Sequence, residues 1–281
     1  MTRAPLSLAP ARANLRDHPG GGYVLTSTHG LPDPVDHLLV LLERWAERAP
    51  DRPFLAERPA PGAAGWTTTT FGETWRRAPH LAGGLRALGV SAERPLMVLS
   101  DNSVTQGLLT FATMAAGAPI APVSPAYSLL SQDHAKLKDV AAQLTPGAIY
   151  VEDAALYGKA LAALGLDVPI IARRNGGTHT VDELEQAAPF MASLGPDSIA
   201  KVLFTSGSTG RPKGVINTQR MLCSNQRAIE VMWPFLAERP PVLVDWLPWS
   251  HTFGGNHNLN MMLHNGGTLY IDGGKPAPGR F

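Results

Sequence analysis

The most informative stretch of the chain is residues 202–215, which read VLFTSGSTGRPKGV. Three apolar residues, Val202–Phe204, lead directly into a loop with four hydroxyl side chains and two glycines, followed by Lys213. Glycine lets main-chain N–H groups approach an anion, hydroxyl groups add rotatable donors, and an ammonium group adds positive charge. The stretch therefore predicts a strand that ends in a phosphate-binding loop. The residues predicted to hold phosphate are Thr205, Ser206, Gly207, Ser208, Thr209, Gly210 and Lys213.

Two common nucleotide-binding patterns do not fit this stretch. The P-loop places its lysine between a glycine and a serine or threonine, whereas Lys213 lies between Pro212 and Gly214. The dinucleotide fingerprint requires three glycines in register, and Gly207 and Gly210 have no third partner. A P-loop NTPase is therefore the least favoured interpretation.

Upstream of the loop, short apolar segments alternate with segments of helical periodicity. Pro95–Leu99 and Pro119–Val123 are typical of buried strands, and Ser103–Ala116 between them is typical of a helix. The same alternation resumes after Ala200. It predicts an α/β fold of doubly wound, largely parallel sheets with helices on both faces. Ligands on such sheets bind at the carboxyl ends of the strands.

Capping residues predict where several helices begin. Asp33 is placed to cap an amphipathic helix over Pro34–Arg48, and a further helix is expected over Gln132–Leu144. Thr180 and Glu183 have the spacing of a capping box, in which each side chain bonds the other residue's main-chain N–H group.

The composition excludes several classes of protein. The 281 residues include 24 Lys and Arg against 23 Asp and Glu, and a net charge of +1 excludes a basic nucleic-acid coat and a disordered polyelectrolyte. We therefore expect no nucleic-acid partner. A single cysteine, Cys223, forms neither an intrachain disulfide nor a zinc site by itself, so no metal site is predicted. A reducing, cytoplasmic setting fits best.

Residues 1–32 are expected to form an N-terminal extension before one large domain over residues 33–281. The extension lacks the apolar segment of a secretory signal. Residues 102–132 contain no Asp, Glu, Lys, Arg or His, but proline and glycine interrupt them. They predict a buried helix followed by a buried strand, and we expect no membrane span.

The stretch from Thr205 to Gly214 resembles the TSGSTGxPKG signature of the adenylate-forming enzymes. This superfamily comprises acyl-CoA synthetases, luciferases and the adenylation domains of peptide synthetases. The match is complete, and Trp66–Trp75 and Ala116–Val123 resemble two structural segments of the same family. The resemblance implies an adenylate-forming fold whose ligands are ATP, Mg²⁺ and a carboxylic acid.

A second stretch, residues 246–255 with the sequence WLPWSHTFGG, resembles the family segment P-x-x-H-x-x-G. The resemblance implies that His251 gates between the acyl pocket and the thiol tunnel. The residues implied to contact the acid are His251, Thr252, Phe253 and Gly254. It also implies that Lys213 and His251 are the catalytic residues.

The residue pattern alone does not decide the role of His257, which lies close to this segment. His257 either contacts the pocket or caps the helix that Asn256–Asn258 begins. Four further side chains are expected to pack in the core rather than bind a ligand: Trp233, Trp246, Trp249 and Cys223.

Several local strings resemble the feruloyl-CoA synthetases of bacterial hydroxycinnamate degradation: residues 216–221, 245–257 and 265–272, together with Trp45–Ala46 and Phe54–Arg58. This resemblance implies a reaction in two halves. The carboxylate of an aromatic acid attacks the α-phosphorus of ATP, and the thiol of coenzyme A then attacks the acyl carbon and releases AMP. Two alternatives stay open, an adenylating ligase for another acyl or aryl acid and a non-catalytic nucleotide-binding remnant.

Members of this family are considerably longer than 281 residues. The resemblance implies a magnesium-binding glutamate, an adenine site and an adenylating lysine in segments that this sequence does not include. We therefore expect an incomplete AMP-binding domain that does not complete the reaction alone. We also expect exposed apolar surface and association through it.

Overall fold

The computed structural model describes residues 6–60, 63–206 and 210–273. In these ranges the strands are β1 (Ala13–Asp17), β2 (Tyr23–Ser27), β3 (Pro53–Glu57), β4 (Thr67–Thr70), β5 (Leu96–Val98), β6 (Ile120–Pro122), β7 (Ala148–Asp153), β8 (Ile170–Arg174), β9 (His179–Thr180), β10 (Ile199–Ser206), β11 (Pro212–Thr218), β12 (Val242–Asp245) and β13 (Thr268–Ile271). The helices are α1 (Leu38–Arg48), α2 (Phe71–Ala87), α3 (Val104–Ala115), α4 (Ala126–Leu129), α5 (Ala135–Leu144), α6 (Gly158–Leu164), α7 (Val181–Glu185), α8 (Gln219–Met232), α9 (Phe235–Glu238) and α10 (Leu259–Asn265). A π-helix, Phe253–Asn258, leads directly into α10.

The strands form two large sheets and a separate hairpin. A seven-stranded sheet has the order β11-β10-β6-β5-β7-β8-β9, and all its neighbours are parallel except β10 and β11. A four-stranded sheet has the order β12-β13-β3-β4, with only β3 and β4 antiparallel. Strands β1 and β2 pair with each other in the predicted N-terminal extension.

Helices cover both faces of the seven-stranded sheet, as the sequence predicted. Along β5, Leu96 and Val98 belong to a core that also contains α1, α2, α3 and the β3 residues Phe54 and Leu55. Met97, between them, belongs to a second core formed with α5 and α6. Because successive side chains of a strand point to opposite faces, each face of the sheet buries its own core. The predicted α/β fold class is confirmed.

Helix α3 lies between the two sheets and is buried at every position. The Ser103 hydroxyl accepts a hydrogen bond from the Gln106 N–H group and so caps the helix. Strand β6 follows it and is also buried. The uncharged stretch is therefore a core helix and a core strand, as predicted. In the described ranges no helix is both long and apolar enough to cross a membrane.

Two helices begin later than the sequence predicted, and one cap is as predicted. Helix α1 begins at Leu38 rather than Pro34, because the Leu38 N–H group donates to Gln219 Oε1 of α8 instead of relying on a local cap. Helix α5 begins at Ala135, after His134 adopts a left-handed conformation with φ of 53°. The capping box before α7 is confirmed.

The N-terminal part carries structure that the sequence did not predict. The hairpin of β1 and β2 is largely exposed. The segment before it contacts the end of α8 and the start of α9, because the Ala9 N–H group donates to Met232 O and the Phe235 N–H group donates to Ser7 O. The division into an extension and a large domain stays a prediction.

Strand β12 forms one edge of the four-stranded sheet and exposes apolar side chains. Val242 and Val244 are both more than half exposed, and Trp246 just beyond the strand is also exposed. Such a surface agrees with the expected apolar patch, and association through it stays a prediction.

Candidate functional site

The predicted phosphate-binding stretch forms the hairpin of β10 and β11. Strand β10 runs parallel to β6, so its last residue, Ser206, lies at the carboxyl edge of the parallel strands. Strand β11 then returns antiparallel, and Thr205 pairs with Lys213 in register. The sequence predicted a loop for all of these residues, but Thr205, Ser206 and Lys213 belong to strands, because the antiparallel ladder continues up to the turn.

The two register partners near the tip of the hairpin are available to a ligand. Thr205 and Lys213 are both exposed, and side chains directly opposite each other in an antiparallel pair share one face of the sheet. Gly210 has a φ of +79°, a conformation that favours glycine. Three predicted phosphate contacts, Gly207, Ser208 and Thr209, lie outside the described residues. The arrangement places a hydroxyl and an ammonium group beside the turn.

Helix α5 holds the tip of the hairpin from one side. The Gln143 side chain donates through Nε2 to Pro212 O at 3.0 Å, and Pro212 itself is buried. Arg211 Nε lies 3.9 Å from Asp139 Oδ2, and both side chains are exposed, so this pair adds little stability. The hydrogen bond from Gln143 is the stronger anchor.

The second predicted stretch follows β12, at the carboxyl end of the other sheet. Asn102 joins it to the seven-stranded sheet, because its side chain donates to Leu247 O and accepts from the Trp249 N–H group, each at 2.8 Å. Asn102 lies shortly after the end of β5. These two bonds connect the carboxyl edges of the two sheets.

Two glycines allow the π-helix to pack closely on this stretch. A Cβ atom at Gly254 would lie 2.5 Å from Leu247 O, and a Cβ at Gly255 would collide with Trp249 O. Gly254 is buried, so its position in the structure is one of packing rather than of exposure to a ligand. Its predicted contact with the acid stays a prediction.

The three residues before Gly254 are exposed, so their side chains are accessible to a ligand. His251 is fixed through its backbone, since its N–H group donates to Pro248 O and its carbonyl accepts from the Gly255 N–H group. Thr252 and Phe253 follow it, and the Phe253 side chain is 58% exposed. Their roles toward a substrate stay predictions.

A group of three rings lies beside these residues, in which Phe253 and Trp233 are exposed and His257 is half-buried. Phe253 and His257 stack with centroids 4.8 Å apart, and Trp233 meets His257 edge-on at 5.8 Å. His257 therefore contacts the rings of the site instead of capping the helix. The sequence wrongly assigned Trp233 and Trp246 to the core, because both are more than one-third exposed, whereas Trp249 and Cys223 are buried as predicted.

Lys201 is a functional candidate that the sequence analysis missed. It lies on β10, four positions before Thr205, and only 1% of its surface is exposed. Its Nζ donates to Gly255 O of the π-helix at 2.6 Å. Burial lowers the pKa of its ammonium group to about 7. A lysine within an otherwise apolar strand was the available signal, but its burial follows from tertiary packing.

A metal site does not emerge from the part of the chain that the structure describes. Within residues 6–60, 63–206 and 210–273, no three His, Cys, Asp or Glu side chains cluster closely enough to hold a metal ion. A cavity of about 510 Å³ lies elsewhere, and its lining includes Glu57, Thr69, Arg76 and Arg173. The candidate site is instead an open surface at the carboxyl edges of the two sheets.

Comparison with known proteins adds an independent line of information. A family model described as AMP-binding enzyme matches residues 42–281. A sulfoacetate–CoA ligase from Cupriavidus necator is 31% identical over 198 residues, which are 69% of this chain and 37% of that protein. The phosphinothricin tripeptide synthetase PhsC from Streptomyces viridochromogenes is 32% identical over 202 residues, 70% of this chain and 17% of that protein. The chain thus spans well under half the length of these relatives.

Solved structures share the fold. ATP-bound MatB from Rhodopseudomonas palustris matches with a TM-score of 0.67 and 24% identity, over 84% of this chain and 45% of that one. A fatty acyl-adenylate ligase from L. pneumophila, in complex with acyl adenylate and pyrophosphate, matches with a TM-score of 0.67 and 19% identity, over 84% of this chain and 39% of that one. At these identities the likeness establishes the fold alone.

Proposed function

Because the chain belongs to the AMP-binding enzyme family, we propose that it carries the phosphate-binding and acid-binding surfaces of an AMP-forming acid–CoA ligase. The observation that supports this most strongly is the hairpin of β10 and β11. It brings the exposed side chains of Thr205 and Lys213 together at the carboxyl edge of the sheet. Open α/β sheets bind their ligands at this edge.

In the proposed reaction, a carboxylate oxygen attacks the α-phosphorus of ATP and pyrophosphate leaves. Negative charge grows on the leaving group, and this chain stabilises it with main-chain N–H groups, hydroxyl groups and one ammonium group. The residues proposed to hold the pyrophosphate are Thr205, Ser206, Gly207, Ser208, Thr209, Gly210 and Lys213. The thiol of coenzyme A then attacks the acyl carbon, and AMP leaves.

The acid is proposed to lie against the stretch that follows β12. His251, Thr252 and Phe253 are the proposed contacts, with His251 between the acid and the thiol. The rings of Phe253, His257 and Trp233 support a planar aromatic acid of the hydroxycinnamate class, because aromatic faces stack favourably. Ferulate is the representative that we propose.

Mg²⁺ has no proposed ligand among the described residues. The described residues do not offer a cluster of carboxylates or imidazoles for it. When bound with the nucleotide, Mg²⁺ would neutralise part of the charge on the phosphates. The protein groups proposed to hold the pyrophosphate would bind and orient the phosphates directly.

Calorimetric titration with pyrophosphate tests the phosphate site. An ion pair at 4 Å is worth about 1 kcal/mol in water and about 4 kcal/mol at an effective dielectric constant of 20. Lys213→Ala should therefore weaken pyrophosphate binding by about fivefold or more. Lys159→Ala, which removes an exposed lysine on α6, is the matched control and should leave the affinity unchanged. Equal affinities for the two variants would contradict the assignment.

A panel of acids tests the substrate class. Ferulate should quench tryptophan fluorescence through Trp233 more strongly, and at lower concentration, than sulfoacetate, benzoate or hexanoate. Phe253→Ala should remove that preference by deleting one stacked ring. Tighter binding of sulfoacetate or hexanoate would replace the aromatic proposal with another acid, and the phosphate site would be unaffected.

A further inference from the structure

Lys201 is almost completely buried, which is unusual for a lysine. A lysine is almost never fully buried without a partner, since removing an ammonium group from water is costly. The one hydrogen bond that its Nζ makes among the described residues is to the Gly255 carbonyl, at 2.6 Å. The side chain points away from solvent and is not part of the proposed phosphate contacts. Its bond therefore joins strand β10 to the π-helix rather than to a ligand.

Asn217, the register partner of Lys201, makes a second bond to the same helix. The two residues lie opposite each other in the ladder of β10 and β11. Asn217 Oδ1 accepts a hydrogen bond from Asn256 Nδ2 at 2.9 Å. A third bond comes from α8, where Gln226 Nε2 donates to Asn256 O at 3.1 Å. Consecutive residues of the π-helix are thus held by the base of the hairpin and by α8.

The base and the tip of the hairpin share one face. Side chains alternate along a strand, so Lys201 and Thr205 point to the same side of β10. On β11, Asn217 and Lys213 do likewise, and the ladder from 201–217 to 205–213 has no bulge. At about 3.3 Å per residue the two pairs lie roughly 13 Å apart. One face therefore carries the phosphate pair at one end and the bonds to the acid-facing helix at the other.

We propose that Lys201 and Asn217 are positioning residues that fix the π-helix, and with it Phe253 and His257, relative to the phosphate-binding hairpin. This role rests on the proposed function, because it connects the surfaces assigned there to pyrophosphate and to the acid. Neither residue touches the reacting atoms. Both act through Gly255 and Asn256, and π-helical turns are frequent where a fold places functional groups.

A purely structural lysine would behave differently. If Lys201 only filled space, an apolar residue of similar length would replace it without loosening the π-helix, since buried charges are often replaced by apolar residues at no cost in stability. A positioning lysine predicts a local effect instead. The π-helix loosens although the rest of the molecule does not.

Hydrogen–deuterium exchange, read by mass spectrometry over residues 251–260, separates the two cases. We expect Lys201→Met and Asn217→Ala each to speed exchange in this segment about tenfold, with α5 (Ala135–Leu144) unchanged as the internal reference. Lys159→Met is the matched control for the loss of a lysine. Asn217 is half-buried, so its variant keeps the test valid if Lys201→Met fails to fold.

Addition of saturating pyrophosphate supplies a readout that space-filling would not change. In the wild-type chain, pyrophosphate bound at the hairpin should slow exchange over residues 251–260 at least twofold. In both variants Lys213 is intact, so pyrophosphate should bind within threefold of the wild-type affinity but leave that exchange unchanged. Equal exchange in wild type and variants would overturn the positioning role alone. A wild-type chain that binds no pyrophosphate would overturn the proposed function and the positioning role together.

Discussion

Lys201 and Lys213 lie on the same hairpin in opposite environments. Lys213 is exposed beside the turn, whereas Lys201 is buried at the base and bonded to Gly255 O. Identical side chains therefore have different partners available to them at the two ends of two paired strands. An exposed lysine is free to meet an anion, while a buried lysine is committed to one carbonyl.

The surroundings of the two ends differ in the same way. Among the described residues beside the turn, the main side-chain hydrogen bond that holds the hairpin runs from Gln143 to Pro212 O. The base is continuous with the core, because Ala200 and Leu203 are both buried. A fixed base and an open tip are what a phosphate-binding hairpin needs, since the ligand can be accommodated without disturbing the sheet.

Truncation of each lysine should give the largest contrast in stability. At about pH 10, where folding no longer has to remove a proton from most of the Lys201 side chains, Lys201→Ala removes buried methylene groups and leaves the Gly255 carbonyl without its donor, so we expect a loss of about 3 kcal/mol in the free energy of unfolding. Lys213→Ala should change it by less than about 0.5 kcal/mol, as exposed substitutions usually do. Urea unfolding of both variants measures the difference, and equal losses would contradict the assignment of a buried base and a free tip.

Substitution of Gly255 and of Gly210 compares how much stability is lost when a Cβ atom is added to the π-helix and to the hairpin turn. Gly255→Ala puts a Cβ atom against the Trp249 carbonyl, and such overpacking costs about 2 kcal/mol. Gly210→Ala meets no neighbour among the described residues but has to adopt a φ of +79°, which costs about 1 kcal/mol. Thermal unfolding should therefore rank Gly255→Ala below Gly210→Ala. The reverse order would show that the π-helix accommodates the added methyl group more easily than the turn at Gly210 does.

Lys201 should also make stability depend on pH. Burial lowers its pKa from the ordinary value of 10.5 to about 7. Between these values the unfolded chain binds the proton and the folded chain does not, so the free energy of unfolding rises with pH by about 1.4 kcal/mol per unit. Below about pH 7 both states are protonated and the buried charge lowers stability in full.

The comparison of wild type with Lys201→Met isolates this effect. The variant should be more stable than wild type below pH 7, and the difference should shrink as the pH rises from 7 towards 10. Other titratable groups lie on β11 (Lys213), on the π-helix (His257) and on α8, which packs against both of these elements (Arg220, Cys223, Arg227 and Glu230). They are present in both proteins, so their contributions cancel. A difference that stays constant across this range would contradict a neutral, buried amine.

Much of the fold could be predicted from local pattern. The alternation of apolar and helical segments predicted the sheet with helices on both faces, and the uncharged stretch predicted α3 and β6. The first residues of helices were harder to predict from the sequence. Helix α1, for example, begins where Gln219 of a distant helix supplies an acceptor to Leu38. A cap of that kind depends on the tertiary structure, and no local spacing encodes it.

The candidate site also contains some residues that the sequence could identify and others that it could not. Thr205, Lys213 and His251 could be named from the sequence because they stand in a specific motif, and the structure exposes all three. Lys201, Asn217 and Trp233 could not, because their importance comes from contacts across elements. The sequence also did not predict that Lys213 lies in a strand, because the glycine and proline residues around it are typical of a loop.

Differential acetylation of lysines, quantified by mass spectrometry with and without saturating pyrophosphate, tests the central claim most directly. We predict that pyrophosphate protects Lys213 from acetylation at least fivefold and leaves exposed Lys159 unaffected, while Lys201 stays unreactive in the folded chain under both conditions. Acetylation of Lys213 at the same rate with and without bound pyrophosphate would contradict the account.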